Sequence, residues 1–118
     1  MATFSKLPLS ASTNGKQIKV VSTTGGSGTL IHTAVAGTSN WDEVWLYACN
    51  TDSSDRKLTI EWGGVTAPDD LTEITVEAES GWTLIVPGLL IQNGLVIQAF
   101  CAAANVVMVN GYVNRITA

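Results

Sequence analysis

Apolar positions recur with a period of two through most of this chain, the mark of strands with one covered face. Arg56 to Trp62 is the clearest case: Leu58, Ile60 and Trp62 lie on one side, Lys57, Thr59 and Glu61 on the other. Leu71 to Ala78 repeats the pattern, setting Ile74 and Val76 against Glu73, Thr75 and Glu77. A helix is the competing assignment there, and Thr72, Thr75 and the alternation argue against it. Gln17 to Val21 carries Ile18 and Val20 opposite Lys19. Trp41 to Asn50 is different, because Val44, Leu46 and Ala48 oppose Trp45, Tyr47 and Cys49. Apolar residues on both faces predict a central strand buried on two sides. Thr29 to Val35, Trp82 to Val86, Leu89 to Gln92, Leu95 to Cys101 and Val106 to Ile116 read as further strands.

Polar and glycine-rich breaks separate these runs, notably Thr24-Gly25-Gly26-Ser27-Gly28, Ala36 to Asn40 and Asn50 to Asp55. Asn93-Gly94 stands between two apolar runs and predicts a two-residue hairpin with a type I′ turn. Asn110-Gly111 marks either a second hairpin or a bulge in one long strand. About eight short strands at this spacing predict an all-β fold, a single antiparallel β-sandwich of jelly-roll topology. Residues 1–15, with Pro8, Ser10, Ser12, Thr13, Asn14 and Gly15 and little periodicity, read as an extended N-terminal arm. Residues 16–118 form the sandwich domain.

Composition supports the same class. Val, Ile and Thr supply 34 of the 118 residues, whereas Lys, Arg and Glu together supply 11. β-Branched side chains suit a pleated surface, and good surface-helix formers are scarce. A 12.4 kDa chain folded into one domain exposes about 6,100 Å², room for one core. No apolar run approaches the length needed to span a bilayer, and the opening Met1 to Pro8 lacks the stretch of a secretory signal. A soluble, unexported protein is the expectation.

The charge is segregated. All ten acids lie between Asp42 and Glu79, where Arg56 and Lys57 are the only bases. Residues before Asp42 hold Lys6, Lys16 and Lys19 without an acid, and residues beyond Glu79 hold Arg115 alone, giving a net charge of −4. This balance repels phosphate backbones and anionic membranes, so neither nucleic acid nor membrane is an expected partner.

No catalytic constellation stands out. His32, the single histidine, sits mid-strand with no marked nucleophile beside it and reads as a hydrogen-bonded strand residue. Cys49 and Cys101 are 52 positions apart in apolar contexts and form no zinc motif; two buried reduced thiols are expected. The glycine-rich stretch Thr24 to Thr29 lacks the Gly-Lys-Ser/Thr ending of a phosphate loop and reads as a flexible hairpin loop. Asp69, Asp70 and Glu73 lack the spacing of an EF-hand calcium loop. Trp41, Trp45, Trp62 and Trp82 are too bulky for all to be buried; some should pack in the core and some line a groove or interface.

Three stretches carry a likeness: Leu7-Pro8-Leu9-Ser10-Ala11-Ser12-Thr13-Asn14-Gly15-Lys16-Gln17-Ile18-Lys19-Val20, then Ile31-His32-Thr33-Ala34, and Asn105-Val106-Val107-Met108-Val109-Asn110-Gly111-Tyr112-Val113-Asn114-Arg115-Ile116. Together they resemble small all-β virion structural proteins of tailed bacteriophages, which decorate or cement the capsid. That resemblance implies a non-enzymatic homotrimer, made in the host cytoplasm and mounted on the capsid exterior. There it would staple neighbouring subunits of the major capsid protein. It implies no cofactor, no metal and no catalytic residue.

Two sets of contact residues follow from this reading. Phe4, Lys6, Leu7, Leu9 and Lys16 of the arm would touch the capsid, the arm adding a strand to a partner's sheet edge. Leu89, Ile91, Val96, Phe100, Val107 and Val109 belong to strands with apolar residues on both faces, one more face than a single core uses, so they would form the subunit interface. The alternative is a carbohydrate- or host-binding module of a phage tail or head fibre, its exposed tryptophans stacking on sugar rings.

Overall fold

The computed structural model describes residues 2–118, which form nine strands and no helix. They are β1 (Thr3–Pro8), β2 (Ile18–Lys19), β3 (Thr29–Thr33), β4 (Trp41–Asn50), β5 (Arg56–Trp62), β6 (Leu71–Val76), β7 (Thr83–Ile91), β8 (Val96–Cys101) and β9 (Val107–Thr117). One sheet runs β1-β9-β4-β7, with β2 also on β9; the other runs β3-β8-β5-β6. Every named strand pair is antiparallel. Successive strands alternate between the sheets from β2 to β5 and again from β6 to β9, which is the jelly-roll order.

The alternation read from the sequence decides which residues meet in the middle. Val44, Leu46 and Ala48 of β4 and Val107, Val109 and Val113 of β9 face Leu58 and Ile60 of β5 and Ile97, Ala99 and Cys101 of β8, all buried. The exposed area of 6122 Å² is that of one compact domain.

β4 and β9 pair over ten positions, from Trp41↔Ile116 to Asn50↔Val107, without a register shift. Asn110-Gly111 is neither hairpin nor bulge; it lies inside this long ladder. Gly111 faces Leu46, and a side chain there would overlap the Trp45 carbonyl, so the two backbones approach only because position 111 has no Cβ.

Several expectations are corrected. Residues 3–8 of the expected arm form β1, paired with β9 from Thr3↔Thr117 to Pro8↔Tyr112, and Leu9 is a core residue. The sheet edge that β9 offers is filled by the chain's own beginning. Asn93 and Gly94 both adopt positive φ as a type I′ turn requires, but β7 and β8 belong to opposite sheets. The turn is a corner, held by the Asn93 and Gly94 N–H groups donating to the carbonyls of Gly37 and Val35. The expected strands 82–86 and 89–92 are one strand, because irregular pairing with β4 around Trp45 absorbs Pro87-Gly88 without ending the ladder.

Candidate functional site

The outer face of the five-stranded sheet carries an aromatic and apolar surface. On β4 the residues between the core positions, Glu43, Trp45, Tyr47 and Cys49, are half-buried on that outer side. The sequence expectation of a β4 buried on two sides is therefore corrected: its second face is only half-buried, and no further layer of the described residues covers it. Trp45 lies directly opposite Tyr112 on β9, and their rings stand 6.1 Å apart and 13° from parallel. The Lys6 ammonium sits 4.7 Å above the Tyr112 ring, a cation–π contact between β1 and β9.

Glu43 orients this pair. The Trp45 indole N–H donates to Glu43 Oε1 at 2.7 Å, and the Asn114 amide donates to the same oxygen at 2.9 Å. The Asn114 and Trp45 hydrogen bonds hold the Glu43 carboxyl below the ordinary carboxylate range. Gly88 of β7 makes room for the indole: a Cβ there would come within 2.7 Å of the ring. The sequence gives no local sign of this arrangement, because Glu43, Asn114 and Lys6 come from three strands.

Beside the stacked pair lies an open groove of about 400 Å³ lined by Tyr47, Trp82, Asn110, Gly111 and Tyr112. Gly111 contributes its backbone to the lining. Asn110 anchors one end by donating to the Gly15 carbonyl at 3.1 Å. The flank of the groove is Trp82 and the edge strand β7 that follows it, where Trp82, Leu84, Leu89 and Leu90 are 55%, 46%, 52% and 49% exposed. Burial of apolar area at that edge would favour association with a partner.

The residues expected to make contacts divide sharply. Phe4 is 71% exposed, Lys6 and Lys16 are exposed, Leu7 is half-buried opposite Val113, and Leu9 is wholly interior. Among the expected interface residues, Ile91, Val107 and Val109 are core and meet no partner, because the single sandwich already consumes them. Leu89 is exposed, while Val96 and Phe100 are half-buried. Phe100 lies on the outer face of the other sheet, against Gly25.

The remaining candidates have structural partners. His32 is buried; its Nδ1 accepts from the Ser10 N–H at 3.0 Å, so Nε2 carries the proton it donates to Asp42 at 2.8 Å. Arg115 clamps the same carboxylate at 2.8 and 3.1 Å, and the Val35 N–H adds a bond at 3.0 Å. Burial alone would raise the Asp42 pKa, but the hydrogen bonds from Arg115 and His32 carry it below its ordinary value. With both imidazole nitrogens engaged and no solvent access, His32 ties the sheets together and reaches no substrate.

Cys49 lies on the outer face and Cys101 in the core, so they belong to different layers and both are free. Burial pushes the Cys49 thiol above its ordinary pKa. Asp70 accepts from the Thr66 N–H at 3.1 Å and Glu73 pairs with Lys57 at 3.1 Å, which separates the acids weighed as calcium ligands. Trp62 packs on the core, whereas Trp45 and Trp82 are at the outer face and its groove.

Comparison with family models, curated proteins and solved structures finds no match for the chain.

Proposed function

We propose that this chain is a non-enzymatic virion structural protein that assembles as a homotrimer on a capsid and stabilises contacts between major capsid subunits. The observation that carries the reading is the exposed row Trp82, Leu84, Leu89 and Leu90 on one sheet edge. A lone domain leaves these residues wet; a ring of copies covers them, and three linked attachment points then act at high effective concentration. The resemblance of the opening, central and closing stretches to capsid decoration proteins supports the setting. Self-association comes through the β7 edge, because the first strand is already paired within its own sheet.

The test is a native mass measurement joined to a binding assay on undecorated capsid shells. A trimer that binds shells supports the reading. A monomer at every concentration that leaves shells unbound removes it.

A second reading, a carbohydrate-binding module, has one observation in its favour. The groove walled by Tyr47, Trp82 and Tyr112 offers ring faces to a pyranose. Retarded migration in a polysaccharide-loaded gel, lost in Trp82→Ala, would favour it over the capsid reading.

A further inference from the structure

Glu61 is wholly buried, yet it lies on the outer side of the four-stranded sheet, away from the hydrophobic core. The glycine-rich segment between β2 and β3 covers it. That segment joins the two sheets and is no hairpin loop. The Val21 and Ser22 N–H groups donate to Thr29 Oγ1 at 3.1 and 3.2 Å, Ser22 Oγ–H donates to the Ser27 carbonyl at 2.9 Å, and the Cys101 N–H donates to the Ser22 carbonyl at 3.0 Å. Gly25 packs on Phe100, and Gly28 leaves space that a Cβ would close: it would stand 2.5 Å from Glu61 Oε1 and 3.2 Å from the Ala99 carbonyl.

The hydrogen-bond count under this cover does not balance. Glu61 Oε2 accepts from the Gly26 N–H at 3.0 Å, but Oε1 is buried with no partner. Gln98 is the cross-strand partner of Glu61, and its Oε1 is likewise buried and unpartnered. Two orphaned acceptors on cross-strand neighbours are costly, and one belongs to a carboxyl group. The ion pairs among the described residues involve Asp42, Asp52 and Glu73 and leave Glu61 without a countercharge.

We propose that Glu61 and Gln98, roofed by the Gly25 to Gly28 segment, bind a hard, oxygen-seeking cation. A carboxylate oxygen and an amide oxygen are among the donors such ions take, and the Ala99 carbonyl lies beside Gly28 at the same place. Among the described residues no group of three His, Cys, Asp or Glu side chains stands together, so softer metals that favour imidazole or thiolate have no site here. The glycines are required twice over: to lie flat on the sheet, and to leave the carboxylate unobstructed. A single negative charge predicts weak affinity, in the millimolar range of low-charge calcium sites. Bound ion would fasten the segment to β5 and β8.

The test uses the full chain, freed of metal by chelator. At about 10 mM CaCl2 the melting temperature should rise by about 5 °C over NaCl of matched ionic strength, as a dissociation constant of about 1 mM requires. Tb3+ should show luminescence sensitised through Trp62, competed away by Ca2+. Glu61→Gln should abolish both responses, and in chelator should melt no lower than the parent, since its amide can donate to Gln98 Oε1. Gln98→Met should weaken Tb3+ binding, and Asp70→Asn should leave it unchanged. An unaltered parent melting temperature with no Tb3+ signal would overturn the proposal, leaving a trapped water between the two oxygens. So would a calcium response that survives in Glu61→Gln. None of these outcomes depends on the virion reading.

Discussion

Arg115 and Asp42 face each other across β9 and β4, 73 residues apart in sequence, with Arg115 Nε 2.8 Å from Asp42 Oδ1. His32 reaches the same carboxylate from the opposite sheet, so one buried charge ties three strands across both layers. Because the folded-state pKa of Asp42 is depressed, its contribution is full above the unfolded value near 4 and is lost as pH falls through the folded value. Asp42→Asn should cost about 3 kcal/mol or more at pH 7, since Arg115 loses its countercharge and an NH2 donor replaces one of the two oxygens that Arg115, His32 and Val35 share. It should also flatten the fall in stability below about pH 4. Urea unfolding at pH 3, 5 and 7 measures both effects.

Gly111 and Gly94 separate two reasons for glycine. At 94 the φ of +67° is the only constraint and nothing lies within 4 Å, so Gly94→Ala should cost about 1 kcal/mol. At 111 a methyl group meets the Trp45 backbone, which cannot yield without parting β4 from β9. Gly111→Ala should cost about 3 kcal/mol or more, a large fraction of the stability of a small domain. Chemical denaturation of the two variants gives the comparison.

Removing residues 2–8 deletes an edge strand whose outward residues are largely exposed, and the remaining sandwich should still fold with lower stability. Leu9→Ala should be the more damaging change, at about 2–5 kcal/mol, because it opens a cavity in the core. A truncation that unfolds more readily than Leu9→Ala would contradict this ranking.

Leu84 and Leu90 stand opposite Tyr47 and Glu43 on the exposed edge. The double change Leu84→Ser and Leu90→Ser should leave the melting temperature within a few degrees, and should reduce the proposed trimer to monomer in light scattering. Loss of stability without a change in mass would argue that the edge serves the fold alone.

The strands legible in the sequence were those whose signal is local. Trp41–Asn50 and Arg56–Trp62 carry long, regular patterns and begin and end where the alternation does. β1 was hidden because its partner lies more than 100 positions away, and six residues without regular alternation give no sign of a distant edge. Asn93-Gly94 announced its backbone conformation but not whether the next strand would turn beside the last or cross to the other sheet. The outer face was half legible: apolar residues on both sides of β4 were visible, whereas whether anything covers them depends on the whole assembly of strands. Glu61 was the least legible of all. Alternation placed it outward, and only the path of a distant glycine segment makes it interior.

The Thr3↔Thr117 pairing, closed by the Thr117 hydroxyl donating to the Thr3 carbonyl at 3.3 Å, brings the first and last strands out at one corner of the sandwich. Cargo joined to either end would emerge from that same corner. A short linker could splice the ends into a circle, and a new opening at the exposed Ser53–Ser54 turn would yield a permuted chain that keeps every strand contact.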